Sequence, residues 1–192
     1  MLKNRIYLCL AAAALSLLFA GSAGAAEEQK DKDTYDQDSV IKDATAFFGK
    51  GTEGLAKVIE KAFKDHGSPN GYIKGEEVSG ALVLGLRYGN GTLTLKNQGS
   101  RKVHWQGPSI GFDAGGNASK VFVLVYKLQD MDNIFQRFPA VDGSLYYIAG
   151  AGINYQQSDN IVLAPIRLGV GLRFGVNIGY MHYTRTKSWN PL

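Results

Sequence analysis

The chain has 192 residues, a formal net charge of +4, three histidines and one cysteine, Cys9. That length holds one domain with a core of its own. A single cysteine excludes a disulfide framework and a zinc–thiolate site, and the lack of any basic run argues against nucleic acid as a partner.

Residues 1–25 carry export information rather than fold. Lys3 and Arg5 precede an apolar run over 6–20, and Ala23-Gly24-Ala25 puts small residues at −3 and −1 of a cleavage point before Ala26. This is the pattern of a secretory signal peptide, and the run is short for a membrane span. Cys9 sits near the start of the run, so it is not placed as a lipid-attachment cysteine, and it leaves with the signal. The mature chain of about 167 residues then has no cysteine and a net charge of +2. Burial alone must stabilise it, and thiol catalysis is excluded.

Residues 26–38 (AEEQKDKDTYDQD) hold six acids and two lysines, the composition of a disordered, solvated tail. Residues 39–66 have helical periodicity. Val40, Ile41, Ala44, Phe47 and Phe48 share one face. Thr52 is the N-cap of a second helix with a stripe of Leu55, Val58, Ile59, Ala62 and Phe63, which Gly67 ends. Each helix is amphipathic and needs a surface to bury its stripe, so both are expected to pack on the remainder of the domain.

Beyond Gly67 the period becomes two, and residues 71–192 are predicted to form the β domain. Asn90-Gly91, between ALVLGLRYG and TLTLK, predicts a tight type I′ hairpin. Further strands are predicted over 103–112, 120–128, 144–155, 160–166 and 168–184, the last long enough to bend. Gly115-Gly116-Asn117 and Asp142-Gly143 read as turns, and residues 130–138 as one helical turn closed by Pro139. The fold class is therefore mainly β: a small soluble antiparallel β-barrel preceded by one or two amphipathic helices.

Glycine recurs on one parity of these strands. Gly85, Arg87 and Gly89 share a face, as do Gly107, Ser109, Gly111, Asp113 and Gly115, then Gly150, Gly152 and Asn154, then Gly169, Gly171, Arg173, Gly175, Asn177 and Gly179. The other parity is bulky: Leu82, Leu84, Leu86; Ile110, Phe112; Tyr147, Ile153; and alternate residues from Val170 to Tyr180. The expectation is that the bulky face forms the dry core. The glycine rows then mark sharp curvature and close contact with the helices. Arg87, Asp113 and Arg173 lie on the glycine parity, either as a satisfied polar network or as an anion-binding set. Together with Tyr88 and Trp105 they are the candidate ligand-binding residues; an apolar pocket lined by aromatics is a further use of such a barrel.

Other motifs are weak. Gly107-Pro108-Ser109-Ile110-Gly111 matches G-x-S-x-G but has strand-type residues and glycines after the serine where a hydrolase needs a helix. No pair among His66, His104 and His182 has metal-ligand spacing, so neither metal nor other cofactor is expected. Residues 80–192 carry eleven basic and five acidic side chains, a bias that suits an anionic envelope surface.

HWQGPSIGFDAGGNASKVFVLVY (104–126), IFQRFPAVDGSLYYIAGAGINYQQ (134–157), IVLAPIRLGVGLRFGVNIGY (161–180) and RYGNGTL (87–93) resemble the EipA family, envelope integrity protein A. The resemblance covers roughly residues 78–192. It implies a periplasmic protein with a small soluble β-barrel, needed for a sound Gram-negative envelope, without catalytic activity and with no site residues to carry over. The Gly-rich strands after an amphipathic helix are also similar, more weakly, to the SYLF lipid-binding domain, which implies an anionic-lipid ligand. The functional expectation is a non-enzymatic periplasmic protein that supports envelope integrity and binds an anionic component: lipid, lipopolysaccharide or peptidoglycan. The alternatives are an integral outer-membrane β-barrel, whose strands also alternate apolar-out and small-or-polar-in, and a serine hydrolase using Ser109. Cell fractionation discriminates the first two: a periplasmic protein is released without detergent, whereas an integral barrel leaves the membrane only with it.

Overall fold

The computed structural model describes residues 33–113, 118–169 and 179–188, with the side chains of 79–84 and 109–113 outside that description. The expected signal peptide, most of the acidic tail, the turn at 115–117 and the stretch 170–178 lie outside the described residues.

Helix α1 spans Gln37–Phe48. It starts two residues before the periodicity suggested, because Asp36 caps it, accepting from Ser39 N at 2.9 Å. Tyr35, assigned to the tail by composition, lies 5.2 Å from the Tyr72 ring. Helix α2 spans Glu53–His66; Thr52 caps it, accepting from Leu55 N at 3.0 Å, and Gly67 ends it at φ +77. The second cap and the stop are as predicted.

Among the described residues nine antiparallel strands form one sheet: β1 Gly71–Leu95, β2 Gly99–Asp113, β3 Ser119–Tyr126, β4 Arg137–Pro139, β5 Tyr146–Ile148, β6 Ala151–Ile153, β7 Gln156–Ser158, β8 Ile161–Leu168 and β9 Tyr180–Thr184. The order is β4-β9-β2-β1-β3-β8-β6-β5, with β7 also on β8. A bridge between Ala140 and Gln156, and a bond from Val141 N to Tyr155 O of 3.0 Å, join the β4 end to β7. The sheet thus curls until its β4 side meets its β8 side, a barrel-like closure.

β1 doubles back on itself. Its first arm pairs with β3 over 71–77, its second with β2 over 81–95. The arms meet: Lys96 N donates to Asn70 O at 3.0 Å, and a Cβ on Gly91 would lie 2.9 Å from Gly75 Cα. This corrects the hairpin predicted at Asn90-Gly91. Those residues sit inside β1, paired with His104 and Val103, and the turn into β2 falls at 96–98, where Asn97 has φ 69. Gly91 is required for close backbone approach rather than for a turn. The unpredicted tight turn is Ala149-Gly150, both at positive φ, between β5 and β6. A 3₁₀ turn at Met131–Ile134 occupies the predicted helical turn.

Two apolar layers result. The barrel interior holds Ile73, Leu93, Val103, Trp105, Val121, Val123, Val125, Phe138, Leu163, Met181 and Tyr183, with Leu128, Met131 and Ile134 in the same cluster. The second layer lies between the helices and the outer face: Val40, Leu55, Val58, Ile59 and Ala62 meet Phe122, Leu124, Tyr126, Val162, Ala164 and Ile166. β3 and β8 are buried on both faces, which is why VFVLVY and IVLAPI read as unbroken apolar runs.

The parity expectation fails in β1. Leu86, of the bulky parity, is 38% exposed, and Arg87, of the glycine parity, is 3% exposed. The inward face is the glycine face, and the helices rest on β3, β5, β6 and β8 instead of on glycine rows. The reason is the ring of Trp105. A Cβ on Gly89 would fall inside the indole, and one on Gly75 would come within 2.6 Å of its Cη2. A narrow barrel admits one indole at this level only if the positions beneath it have no side chain. Leu172, Phe174, Gly171 and Gly175, to which the same expectation applied, lie outside the described residues. Apart from Glu77, Arg87 and Arg167, the described interior is filled with apolar side chains, while the outer face of β2, β4 and β9 carries Lys102, His104, Arg137 and His182, which inverts the pattern of a lipid-spanning barrel.

Gly89→Ala is expected to destabilise the fold by about 1–3 kcal/mol through overpacking against Trp105, read by chemical denaturation, with Trp105 fluorescence shifted in the native state.

Candidate functional site

The upper part of the barrel interior is ionic. Glu77, the last inward residue of the first arm of β1, is 5% exposed. Arg167, at the same level on β8, donates through Nε to Glu77 Oε1 at 2.5 Å and through Nη2 to Oε2 at 3.1 Å. Its Nη1 donates to Asn154 Oδ1 at 3.1 Å. Arg87 Nε lies 3.7 Å from Glu77 Oε1, and Trp105 Nε1 donates to Oε2 at 3.4 Å. Burial alone would raise the Glu77 carboxyl, but the charges of Arg167 and Arg87 and the bonds from Arg167 and Trp105 outweigh it and hold it down at about 2. The bidentate Arg167 pair is the geometry that makes a buried charge tolerable.

Beside this network a cleft of about 180 Å³ opens on the outer surface. Glu77, Gly89 and Trp105 line it from the interior side; Val78, Tyr88, Asn90, His104, Gln106 and Lys187 line it from outside, with Glu76 on its rim. The volume is below that of a drug-sized pocket and suits a headgroup or a single sugar. It opens on the part of the barrel the helices leave bare: the second arm of β1, β2, β9 and β4. The outward residues there include Lys102, His104, His182 and Arg137, with Lys187 following β9. Among the described outward side chains of those four segments there is no carboxylate. Burial, then the neighbouring Arg137, keeps the His182 imidazole below its ordinary pKa, so it faces this surface neutral.

The five candidate residues do not form one constellation. Arg87 and Trp105 point into the barrel, where Glu77 engages both. Tyr88 lies on the opposite parity, in the cleft. Asp113 ends β2 in register with Ala81, its side chain outside the description, and Arg173 lies outside the described residues. Ser109 sits within β2 opposite Gly85, with strand on both sides, so the backbone elbow of a serine hydrolase is missing there. The three histidines are apart in sequence elements, and no group of metal-ligating side chains occurs among the described residues. Glu77, Arg167 and Lys187 escaped the sequence reading. Only Glu77 had a local signal, a carboxylate at an inward position of an alternating strand.

A curled, barrel-like single sheet buttressed by two helices, with an ion-paired interior and a basic outer face, defines the class: a small β-barrel-like protein without a recognisable catalytic centre among its described residues. The chain belongs to the EipA family, envelope integrity protein A, whose family model matches residues 33–192. No curated protein matches it. Among solved structures, a beta-barrel-like, uncharacterized protein from Brucella abortus is 50% identical, covers 83% of this chain and 99% of its own, and superposes with a TM-score of 0.77. The family ties the chain to the cell envelope, and no helix among the described residues is long and apolar enough to cross a membrane.

Among the described side chains, Glu77→Gln removes the one carboxylate that Arg87 and Arg167 share. It is expected to cost about 3–5 kcal/mol in chemical denaturation. The pH dependence has a definite sign. The folded pKa lies below the ordinary 4.5, so the contribution is fully present above 4.5 and fades as pH falls towards about 2. Wild type should lose more stability than Glu77→Gln across that window, and equal acid slopes would place the effect elsewhere.

Proposed function

We propose that this protein is a non-enzymatic periplasmic component that supports envelope integrity by binding an anionic envelope constituent on the bare face of its barrel. The observation that carries this reading is the segregation of charge: Lys102, Arg137 and Lys187 lie on a face whose described side chains, from the second arm of β1 through β2, β9 and β4, hold no carboxylate, and Lys187 lines the cleft, where Glu77 is already matched by Arg167 and Arg87. The family supports the envelope role, and the signal-type sequence of residues 1–25 supports export. Tyr88, Asn90 and Gln106 supply the aromatic and amide groups that orient a headgroup or sugar, and Lys187 supplies the charge.

The interior arginines are structural in this reading. Arg167 is committed to Glu77 and Asn154, and Arg87 is buried beside the same carboxylate. Their part is to hold the wall of the cleft through Trp105. Binding is therefore expected to depend on the outer lysines.

The test is co-sedimentation with anionic vesicles, purified lipopolysaccharide and peptidoglycan at low and high salt. The protein should bind at least one of them at low salt, and Lys102→Glu with Lys187→Glu should weaken that binding at least tenfold while circular dichroism stays unchanged. Undiminished binding by the charge-reversed variant would overturn the assignment to this face.

A further inference from the structure

Two aliphatic side chains stand out on the same face. Val78 is 42% exposed and Leu86 is 38% exposed. Both belong to β1, one just past the stretch that pairs with β3 and one in the stretch that pairs with β2. Val78 lines the cleft with the half-buried Tyr88, two residues from Leu86 on the same parity. Single exposed aliphatics are ordinary on a protein surface. A cluster that pairs aliphatics with an aromatic beside a lysine, on a face with further basic residues, has a more specific chemistry. Lys187 lines the cleft with Val78 and Tyr88, while Lys102, opposite Thr92, and Arg137 lie further along the same outer face. Two carboxylates line the cleft, Glu76 and Glu77; Glu77 is matched by Arg167 and Arg87, so with Lys187 the neighbourhood is not net acidic.

We infer that this face docks on an anionic lipid leaflet, with Val78 and Leu86 entering the headgroup–acyl boundary while Lys102 and Lys187 pair with lipid phosphates. The inference rests on the anionic-face reading and selects lipid from among its ligands. Aliphatic side chains gain nothing from a soluble polyanion, whereas at a bilayer their burial adds to the charge attraction. Tyr88 has the amphipathic ring that membrane interfaces favour. The cleft beside these residues has room for one headgroup, about 180 Å³. Docked this way, the two helices lie away from the leaflet, because they cover β3, β5, β6 and β8 rather than this face.

The two contributions separate by salt. Charge attraction is screened, and apolar insertion is not. The experiment is flotation of the protein with phosphatidylglycerol–phosphatidylcholine vesicles at low and high salt, comparing wild type, Val78→Ser with Leu86→Ser, and Lys102→Glu with Lys187→Glu. Parallel sedimentation uses lipopolysaccharide and peptidoglycan. Wild type should float at low salt and remain partly bound at high salt. The serine variant should still float at low salt but lose roughly tenfold in vesicle partition at high salt, the scale set by burying the exposed part of Val78 and Leu86, 42% and 38% of each residue. Identical salt release of wild type and the serine variant overturns the insertion and leaves the anionic-face reading standing. Binding to peptidoglycan or lipopolysaccharide without flotation overturns the lipid assignment alone. Failure to bind any of the three overturns both. Because both positions are exposed, unchanged circular dichroism and melting of the serine variant show that the fold is intact.

Discussion

The barrel is organised around one indole in too little space. Trp105 enters from β2 at the level where the two arms of β1 lie side by side, and its ring occupies the volume that side chains at 75 and 89 would need. Glycine at those positions lets the arms approach and lets the ring lie flat over backbone. The close approach of Gly91 to Lys74 and Gly75 belongs to the same corner. Without it β1 could not fold back, and its two ends could not pair with β3 on one side and β2 on the other. The doubled β1 is what turns an open sheet into one that meets itself.

The ring also supports the charges above it. Its Nε1 donates to Glu77, and Arg167 clamps the same carboxylate from β8. The interior is therefore graded along its length. Leu128, Met131 and Ile134 join the apolar filling, whereas Glu77, Arg87 and Arg167 form an ionised cluster at the level of the cleft. Buried ion pairs add little net stability, yet removing one partner is costly, so such a cluster fixes geometry more than it deepens the energy well. Here it ties β1 to β8 over the intervening β3 and holds the cleft wall in place.

Outside, the helices divide the surface by function. They bury Phe122, Leu124, Tyr126, Val162, Ala164 and Ile166, which would otherwise be an apolar sheet face. Asp65 near the end of α2 accepts from Tyr155 at 2.6 Å, and Lys74 reaches Asp43 of α1 at 3.3 Å, so polar contacts add to the apolar seam. The remaining face keeps its polar and basic residues and receives the cleft. Half of the barrel is thus structural and half is presented.

Local chemistry was enough to reveal much of this. The caps at Thr52 and Gly67, the helical stripes, the period-two segments and the barrel class depend on neighbours in sequence, and the chain carries them openly. The family resemblance came from long strings of residues and holds over nearly the whole described chain. What tertiary structure alone decided is which parity faces inward. Bulky side chains on one parity and glycines on the other suggest that the bulky set forms the core, and in a wide sheet they would. In a doubled-back strand a single residue from another strand, Trp105, fills the interior over the glycines, and Leu86 is left on the surface. The partnership of Glu77 with Arg167, ninety residues apart, was equally invisible. Alternation shows that two residues share a face, but only the closed ladder shows which faces meet across the barrel.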